Sequence, residues 1–451
     1  MAAPRVAVAG GGLAGLAAAL DLTRAGCEVH LFERSRLLGG RATSFEIDGR
    51  TVDNGQHVFL ACCTEFIGFV DRAGMADALY LQDRFDITVY SHGVRSRLRV
   101  ANLPAPWHLV ASMASYRHLD FRGKLQLTRA LLALSREKAP PGNFAEWLRL
   151  HGQSAETIRA FWDPFMVPAL NAPLEAMSAA EAAFVIRTAF LDDRDAACFG
   201  YSKVPLAQIM EAAARDLASV RRSTAVSAME AYDGGVRLRT ADAQDDIFDA
   251  VVLALPPRAL QRLFGEARRF GVTDLDKYEA SAIMDVHLWH DRGRLDFDFC
   301  ALLDSPVQWI FQKGDGYLCC SLSAAGALVS TPTDEVAGAM WREVSAALPE
   351  LRGAQLVRGA ATRNPEGTYN ALPGTARPTA RTLDPRVAIA GSWTATGWPD
   401  TMESAVRSGR AAARALLEQN AWTTKLKPRR STGSWSAKLP RAGGRANSKR
   451  T

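Results

Sequence analysis

The sequence lacks the cysteine patterns that organise small secreted domains and zinc modules. Its seven cysteines are an odd number and none are spaced C-x-x-C, so neither a disulfide framework nor a metal site is expected. A reducing, cytoplasmic setting fits that usage. No run of about 18 uninterrupted apolar residues occurs, which argues against a membrane-spanning helix. The most apolar stretch, Val6 to Leu20, follows Met1 and Arg5 as a signal peptide would, but it is too short to span a bilayer and its glycine spacing has another explanation. No internal repeat is found. Acidic residues are missing from positions 421–451, which hold nine Lys and Arg. The net charge of +6 therefore belongs to this segment, and residues 1–420 carry −3. Rich in Ser, Gly and Pro and without apolar periodicity, the tail is expected to be disordered. Two roles stay open for it: an idle solvated tail, or an anchor for anionic lipid headgroups on the inner face of the cell membrane. Nucleic acid is not an expected partner, because no aromatic-basic module accompanies the charge.

What is present is ordinary globular material, 48% hydrophobic and 23% charged, in 451 residues, enough for two or three domains. The chain opens with a strand over Arg5 to Ala9, a glycine turn, a helix over Leu13 to Ala25 and a second strand over Glu28 to Glu33. From Leu103 to Ala214 the spacing is helical, with Ser178 and Glu181 as a capping box. Two short strands around Asp233-Gly234-Gly235 and a buried parallel strand in DAVVLALPP follow. Residues 279 to 325 read as an antiparallel group. After Arg363 the chain is expected to return to the first domain, with a strand in RVAIAGSW and a helix over Asp400 to Glu418.

Gly10-x-Gly12-x-x-Gly15 lies between strand and helix, where it permits a tight turn, a close pyrophosphate and close helix packing. The helix N-terminus at Leu13 and Ala14 offers N–H groups to phosphate. Glu33, with Arg34 beside it, ends the second strand where a carboxylate can bind ribose hydroxyls. This fingerprint alone serves NAD or FAD. Gly39-Gly40-Arg41 then follows. In this combination the chain resembles flavoproteins of the amine oxidase and phytoene desaturase superfamily, in which the arginine counters the pyrophosphate charge.

That resemblance extends to Val226, where the adenine would be held by main-chain bonds, and to Val387–Arg410. There a strand ends at Gly391-Ser392, a loop containing Trp398 would lie under the flavin ring, and Thr401 and Met402 would start a helix facing flavin carbonyl O2. The superfamily commonly has Gly-Asp where this chain has Gly391-Ser392, which implies weaker FAD retention. The segments Asp53-Asn54-Gly55-Gln56-His57, Phe161-Trp162-Asp163-Pro164-Phe165 with Ala169-Leu170-Asn171-Ala172-Pro173, and Thr396-Gly397-Trp398-Pro399 with Thr401-Met402-Glu403 look like the hydroxysqualene dehydroxylase family. The match spans about residues 5 to 415.

The resemblance implies an α/β fold. A Rossmann-like FAD-binding domain of the glutathione reductase/amine oxidase type (1–85, 206–265 and 366–420) would interleave with an α+β substrate domain (86–205 and 266–365), followed by the basic tail. It implies FAD as cofactor and reductive dehydroxylation of hydroxysqualene to squalene. No second glycine fingerprint follows a strand, so a separate electron donor is expected. A polyprene substrate needs an apolar tunnel, for which Trp107, Met113, Phe161, Trp162, Phe165, Met166, Phe184 and Phe190 are candidates, each equally explained by core packing. His57, in the loop that the resemblance places near the flavin ring, is the first candidate for proton donor or flavin-contacting polar group, a backbone-bonded structural histidine being the alternative. Asp163 and Glu403 are further candidates, the second also readable as a capping-box partner of Asp400. Rival readings are a carotenoid desaturase running in the oxidative direction, an amine oxidase, and a non-catalytic escort of prenylated GTPases that would lack intact flavin contacts.

Overall fold

A computed structural model of the chain describes residues 2–242, 244–264, 267–372 and 375–422. The expected basic tail lies outside the described residues except for its first two. Of these, Trp422 donates its N–H to the Leu417 carbonyl at 2.9 Å and packs on the core.

Short, continuously apolar segments become central parallel strands because both faces are covered. Arg5–Ala9 pairs in parallel with Glu28–Phe32 on one side and Ala250–Leu253 on the other. Ser219–Arg221 and Val387–Ile389 complete a five-stranded parallel sheet as its two edges. The helix Leu13–Arg24 buries ten of its 12 residues. An apolar surface on all sides needs cover on all sides. One sheet face packs on this helix, on Leu206–Ala214 and on the last helix, Met402–Gln419. The other face packs on a three-stranded antiparallel sheet of Val226–Tyr232, Gly235–Thr240 and Asp245–Phe248, through Met229, Val236, Leu238 and Phe248.

The second layer system is a seven-stranded sheet with Leu356–Ala371 at one edge and Val94–Arg99 at the other. Its pairs are antiparallel except Phe299–Leu302 with Asp86–Ser91. One face covers the helix Thr333–Ala347, and the other meets the helical segment through Phe299, Trp309, Phe311 and Cys319. Leu356–Ala371 is a 16-residue strand that pairs with Tyr278–His290 from Leu356 to Ala371. It runs past position 365, where a domain boundary is expected from the sequence, and so brings residues 367–369 to Arg41 and Asp400. Sequence periodicity overlooks this strand because its burial is mixed rather than alternating. The α/β fold with mixed sheets is as expected.

Candidate functional site

The phosphate end is built from backbone. Gly12 caps the helix Leu13–Arg24, and no side chain accepts a hydrogen bond there. The N–H groups of Leu13 and Ala14 therefore remain available to an anion at the positive end of the helix dipole. Gly39 donates to the Gly11 carbonyl at 2.8 Å, bringing the two glycine turns together. Gly40 sits at φ +60, with a Cβ there only 3.2 Å from Gly12 Cα, whereas a Cβ on Gly12 would meet no protein atom within 4 Å. That open side of Gly12 leaves the backbone approachable by a phosphate group. Glu33, 8% exposed, accepts N–H bonds from Gly11 and Ser35, both at 2.7 Å. Each oxygen keeps a lone pair for a ribose hydroxyl. Arg34 is exposed. Thr224 donates to the Glu33 carbonyl at 2.9 Å, which draws the start of Val226–Tyr232, with half-buried Val226, to the adenosine end. These residues fit the adenosine and pyrophosphate of FAD.

Arg41 is held in place by protein partners while its side chain stays 33% exposed. Its guanidinium donates to the Gly367 carbonyl at 2.7 Å and to Ser392 Oγ at 2.7 Å, and forms an ion pair with Asp400 at 3.2 Å. Asp400 is 4% exposed at its side chain and also accepts the Tyr369 N–H at 2.7 Å. The Arg41 guanidinium is held charged by this carboxylate against the opposing effect of burial. A carboxylate is thus present, but it comes from Asp400 rather than from the residue after Gly391. Ser392, 2% exposed, serves as a neutral bridge. Close by, Asn171 donates to Thr368 Oγ1 at 3.0 Å and to the Ser281 carbonyl at 3.1 Å, and accepts from the Ala324 N–H at 2.7 Å. Residues Gly367, Thr368 and Tyr369 therefore join three distant segments: Arg41, Asn171 and Asp400.

The Gly391–Met402 loop leads into the last helix. A Cβ at Gly391 would lie 2.2 Å from the Trp393 indole nitrogen. Thr401 is the N-cap, its hydroxyl accepting from the Ser404 N–H at 3.3 Å, and Met402 is the first helical residue. The capping box expected between Asp400 and Glu403 is not formed, because Asp400 is turned to Arg41. Trp398 stands edge-on to Phe184 at 5.2 Å, with the Arg407 guanidinium 5.0 Å from its ring centre. Its carbonyl accepts from Arg377 at 2.9 Å.

A second polar cluster forms where the Asp53–His57 loop meets the seven-stranded sheet. Gly55 has φ +96, and a Cβ there would be 2.8 Å from Asp285 Oδ2. Asp285 is 1% exposed and accepts the Gln56 N–H at 3.1 Å, with Cys319 Sγ at 3.8 Å. Burial pushes its carboxyl up to about 6. Lys313 donates to Gln56 Oε1 at 3.0 Å and lies 3.6 Å from Asp53. His287 is bonded through Nδ1 to the Tyr317 hydroxyl at 2.9 Å, and burial lowers its pKa to about 4. Sequence reasoning passed over Asp285, His287 and Lys313. The signal was present in Tyr278–His290, where Asp285, His287 and Trp289 alternate with the buried apolar set Met284, Val286 and Leu288.

Of the expected proton donors, His57 lies in this cluster. Its Nδ1 is 3.0 Å from the Gly55 carbonyl, and burial lowers its pKa. Asp163 starts the helix Asp163–Leu170 in the helical segment, and burial raises its carboxyl. Glu403 has other duties. It is 1% exposed, accepts the N–H groups of Glu65 and Phe66 at 3.2 and 2.8 Å, and pairs with Arg407 at 2.8 Å. It caps the helix Thr64–Arg72, which otherwise has no side-chain cap. That geometry gives it a structural part, with Oε1 shared by Glu65 and Arg407 and Oε2 taken by Phe66. Among the tunnel candidates, Phe161, Trp162 and Met166 are buried in the helical core, and Phe165 meets Trp309 at 6.0 Å. Trp107 is 62% exposed and lines nothing internal.

The profile described as flavin containing amine oxidoreductase matches residues 13–417. A hydroxysqualene dehydroxylase of Zymomonas mobilis is 26% identical over 442 residues, covering 92% of this chain and 99% of the relative. A probable zeta-carotene desaturase of Synechococcus elongatus is 25% identical over 486 residues, covering 92% and 99%. Among solved structures, a putative protoporphyrinogen oxidase from Exiguobacterium superposes with a TM-score of 0.69 at 16% identity, covering 94% of this chain and 100% of the other. With the glycine cradle, Glu33 and the helix N-terminus all suited to FAD, the chain belongs to the flavin containing amine oxidoreductase family and is an FAD-dependent oxidoreductase.

Proposed function

We propose that this enzyme removes the allylic hydroxyl of hydroxysqualene reductively, giving squalene and water. The observation that carries the reading is the convergence on Gly367–Tyr369. Asn171, from the A-L-N-A-P segment, and Asp400, which follows T-G-W-P, both bond there, and Arg41 joins them. Asn171 lies in, and Asp400 directly follows, a segment in which the chain looks like hydroxysqualene dehydroxylases, and the two residues are 229 positions apart in sequence.

Bound and reduced, FAD would supply the hydride that replaces the hydroxyl. The two electrons must reach FAD from a separate donor. The protein's part is to hold the substrate carbon in place, exclude water and deliver one proton to the departing oxygen. In this reading His57 meets that oxygen. Its Nδ1 is engaged by the Gly55 carbonyl, so Nε2 is the exchangeable atom. Burial disfavours the protonated ring, so turnover is expected to rise as pH falls below neutrality. Asp285, behind Gly55 and Gln56, fixes the loop that carries His57. Asp163 is a secondary donor candidate, half-buried and with a raised carboxyl pKa.

The similarity to a zeta-carotene desaturase favours one second reading, oxidation of a polyprene in the opposite electron direction. The test is anaerobic incubation of photoreduced, FAD-saturated protein with hydroxysqualene, followed by lipid analysis. Squalene formation is expected. Unchanged hydroxysqualene, with new double bonds formed in a polyprene by the oxidised enzyme, would replace the proposal by the second reading.

A further inference from the structure

Among the described residues, twelve large hydrophobic side chains are exposed, and six of them fall within residues 103–132: Leu103, Trp107, Val110, Phe121, Leu125 and Leu132. Phe121 is 81% exposed and Trp107 62%. The helix Phe121–Arg136 has two apolar faces. Leu127, Ala130 and Leu134 enter the helical core. Phe121, Leu125 and Leu132 lie within about 40° of one another on the opposite side, at 100° per residue. Beside that outer stripe stand Arg122, Arg129 and Arg136 at seven-residue spacing, all exposed.

No ion pair among the described residues involves these three arginines, although arginines elsewhere are paired, as in Arg159 with Asp304 and Arg410 with Glu65. Residues 103–138 hold six Lys and Arg against two acidic residues, Asp120 and Glu137. Both acids are engaged, Asp120 capping the helix and Glu137 accepting from Trp147. Lys124 donates to the Ala114 carbonyl at 2.6 Å, which ties the helix to the segment carrying Trp107 and Val110.

An exposed apolar stripe with an arginine row along its edge, and an exposed tryptophan nearby, matches the chemistry of a bilayer interface. The apolar groups enter the acyl boundary, the arginines meet anionic headgroups, and the indole sits between. A protein partner would leave the arginine row needing acidic complements. We infer that this face, formed by the outer side of Phe121–Arg136 and by residues 103–110, docks on an anionic lipid bilayer. The inference is independent of the proposed substrate. It differs from an anchor in the basic tail, which lacks an apolar stripe.

The test compares the full chain with Phe121→Ser/Leu125→Ser and with Arg122→Glu/Arg129→Glu, by flotation with vesicles of mixed phosphatidylglycerol and phosphatidylcholine and of phosphatidylcholine alone. Flavin absorbance and melting check the fold, which these exposed positions should leave unchanged. Each double substitution is expected to lower partitioning onto the mixed vesicles at least roughly tenfold. The part of the binding that survives high salt should be lost in the apolar variant, and the blue shift in fluorescence expected of the wild type on vesicle addition should be lost in the Trp107→Phe chain. Partitioning within twofold of wild type in both double variants would overturn the inference. So would a concentration-dependent dimer, dissolved by Phe121→Ser/Leu125→Ser, in a protein that does not float. Because the vesicles contain no substrate, neither outcome bears on the dehydroxylation reading.

Discussion

Asp285→Asn should stabilise the protein at alkaline pH and leave it unchanged in acid. Burial moves the Asp285 carboxyl from 3.8 to about 6. Each unit is worth about 1.4 kcal/mol, so the ionised carboxylate costs the fold about 3 kcal/mol relative to its neutral form. The sign follows from proton uptake. The folded value lies above the unfolded one, so the folded state binds the proton more tightly. The contribution is complete below about pH 4, declines between pH 4 and 6, and is gone above. Asparagine has no proton to lose, and its carbonyl oxygen can still accept the Gln56 N–H. In a chain of this size about 3 kcal/mol corresponds to roughly 3–6 °C in melting temperature. Melting of FAD-saturated wild type and variant across pH 3.5 to 8.5 should converge at the acid end and separate by that margin at the alkaline end. Parallel curves, or a variant less stable at pH 8.5, would refute the claim that Asp285 is held in a site hostile to its charge.

Asp400→Asn should weaken FAD binding on the order of tenfold to a hundredfold in a fluorescence titration, because it removes the charge partner that holds Arg41 beside Ser392. Ser392→Ala removes one hydrogen bond to the same guanidinium and should cost about 1 kcal/mol, a shift in FAD affinity several times smaller than that of Asp400→Asn. Glu403→Ala orphans the Glu65 and Phe66 N–H groups and should destabilise by about 1–3 kcal/mol while retaining turnover per bound flavin, with Glu403→Gln recovering most of the loss. A turnover collapse in stable, flavin-loaded Glu403→Gln would return that residue to the chemistry. His57→Ala should cut hydroxysqualene turnover at saturating reduced flavin and flatten its rise toward acid pH; unchanged turnover would remove His57 from the mechanism.

The cofactor end was readable in advance because its physical demands are local. A strand, a turn with open backbone, a helix N-terminus and an acidic residue at the next strand end lie within residues 5–33, and the structure reproduces Arg5–Ala9 and shortens the helix to Leu13–Arg24. The burial of Ala250–Leu253 followed from an apolar run that only a doubly covered strand tolerates. Function class was readable for the same reason, through motifs whose chemistry is carried by neighbouring residues.

Partnerships across the chain were not readable. Arg41 and Asp400 are separated by 359 positions and Gln56 and Asp285 by 229, and their pairing depends on sheet register and on the long strand Leu356–Ala371. A shift of one residue in that register would turn Thr368 away from Asn171, since neighbouring strand residues face opposite sides. Glu403 shows the same limit, because a carboxylate near a flavin motif invites a catalytic reading until the N-terminus of Thr64–Arg72 is found beside it. The sequence by itself determined the opening strand, glycine turn and helix and the family, since turn geometry and helix ends act over a few residues. Only the tertiary structure decided which carboxylate neutralises Arg41, which acid lies buried behind His57, and which apolar side chains stay outside, because burial and charge pairing depend on what the rest of the chain brings into contact.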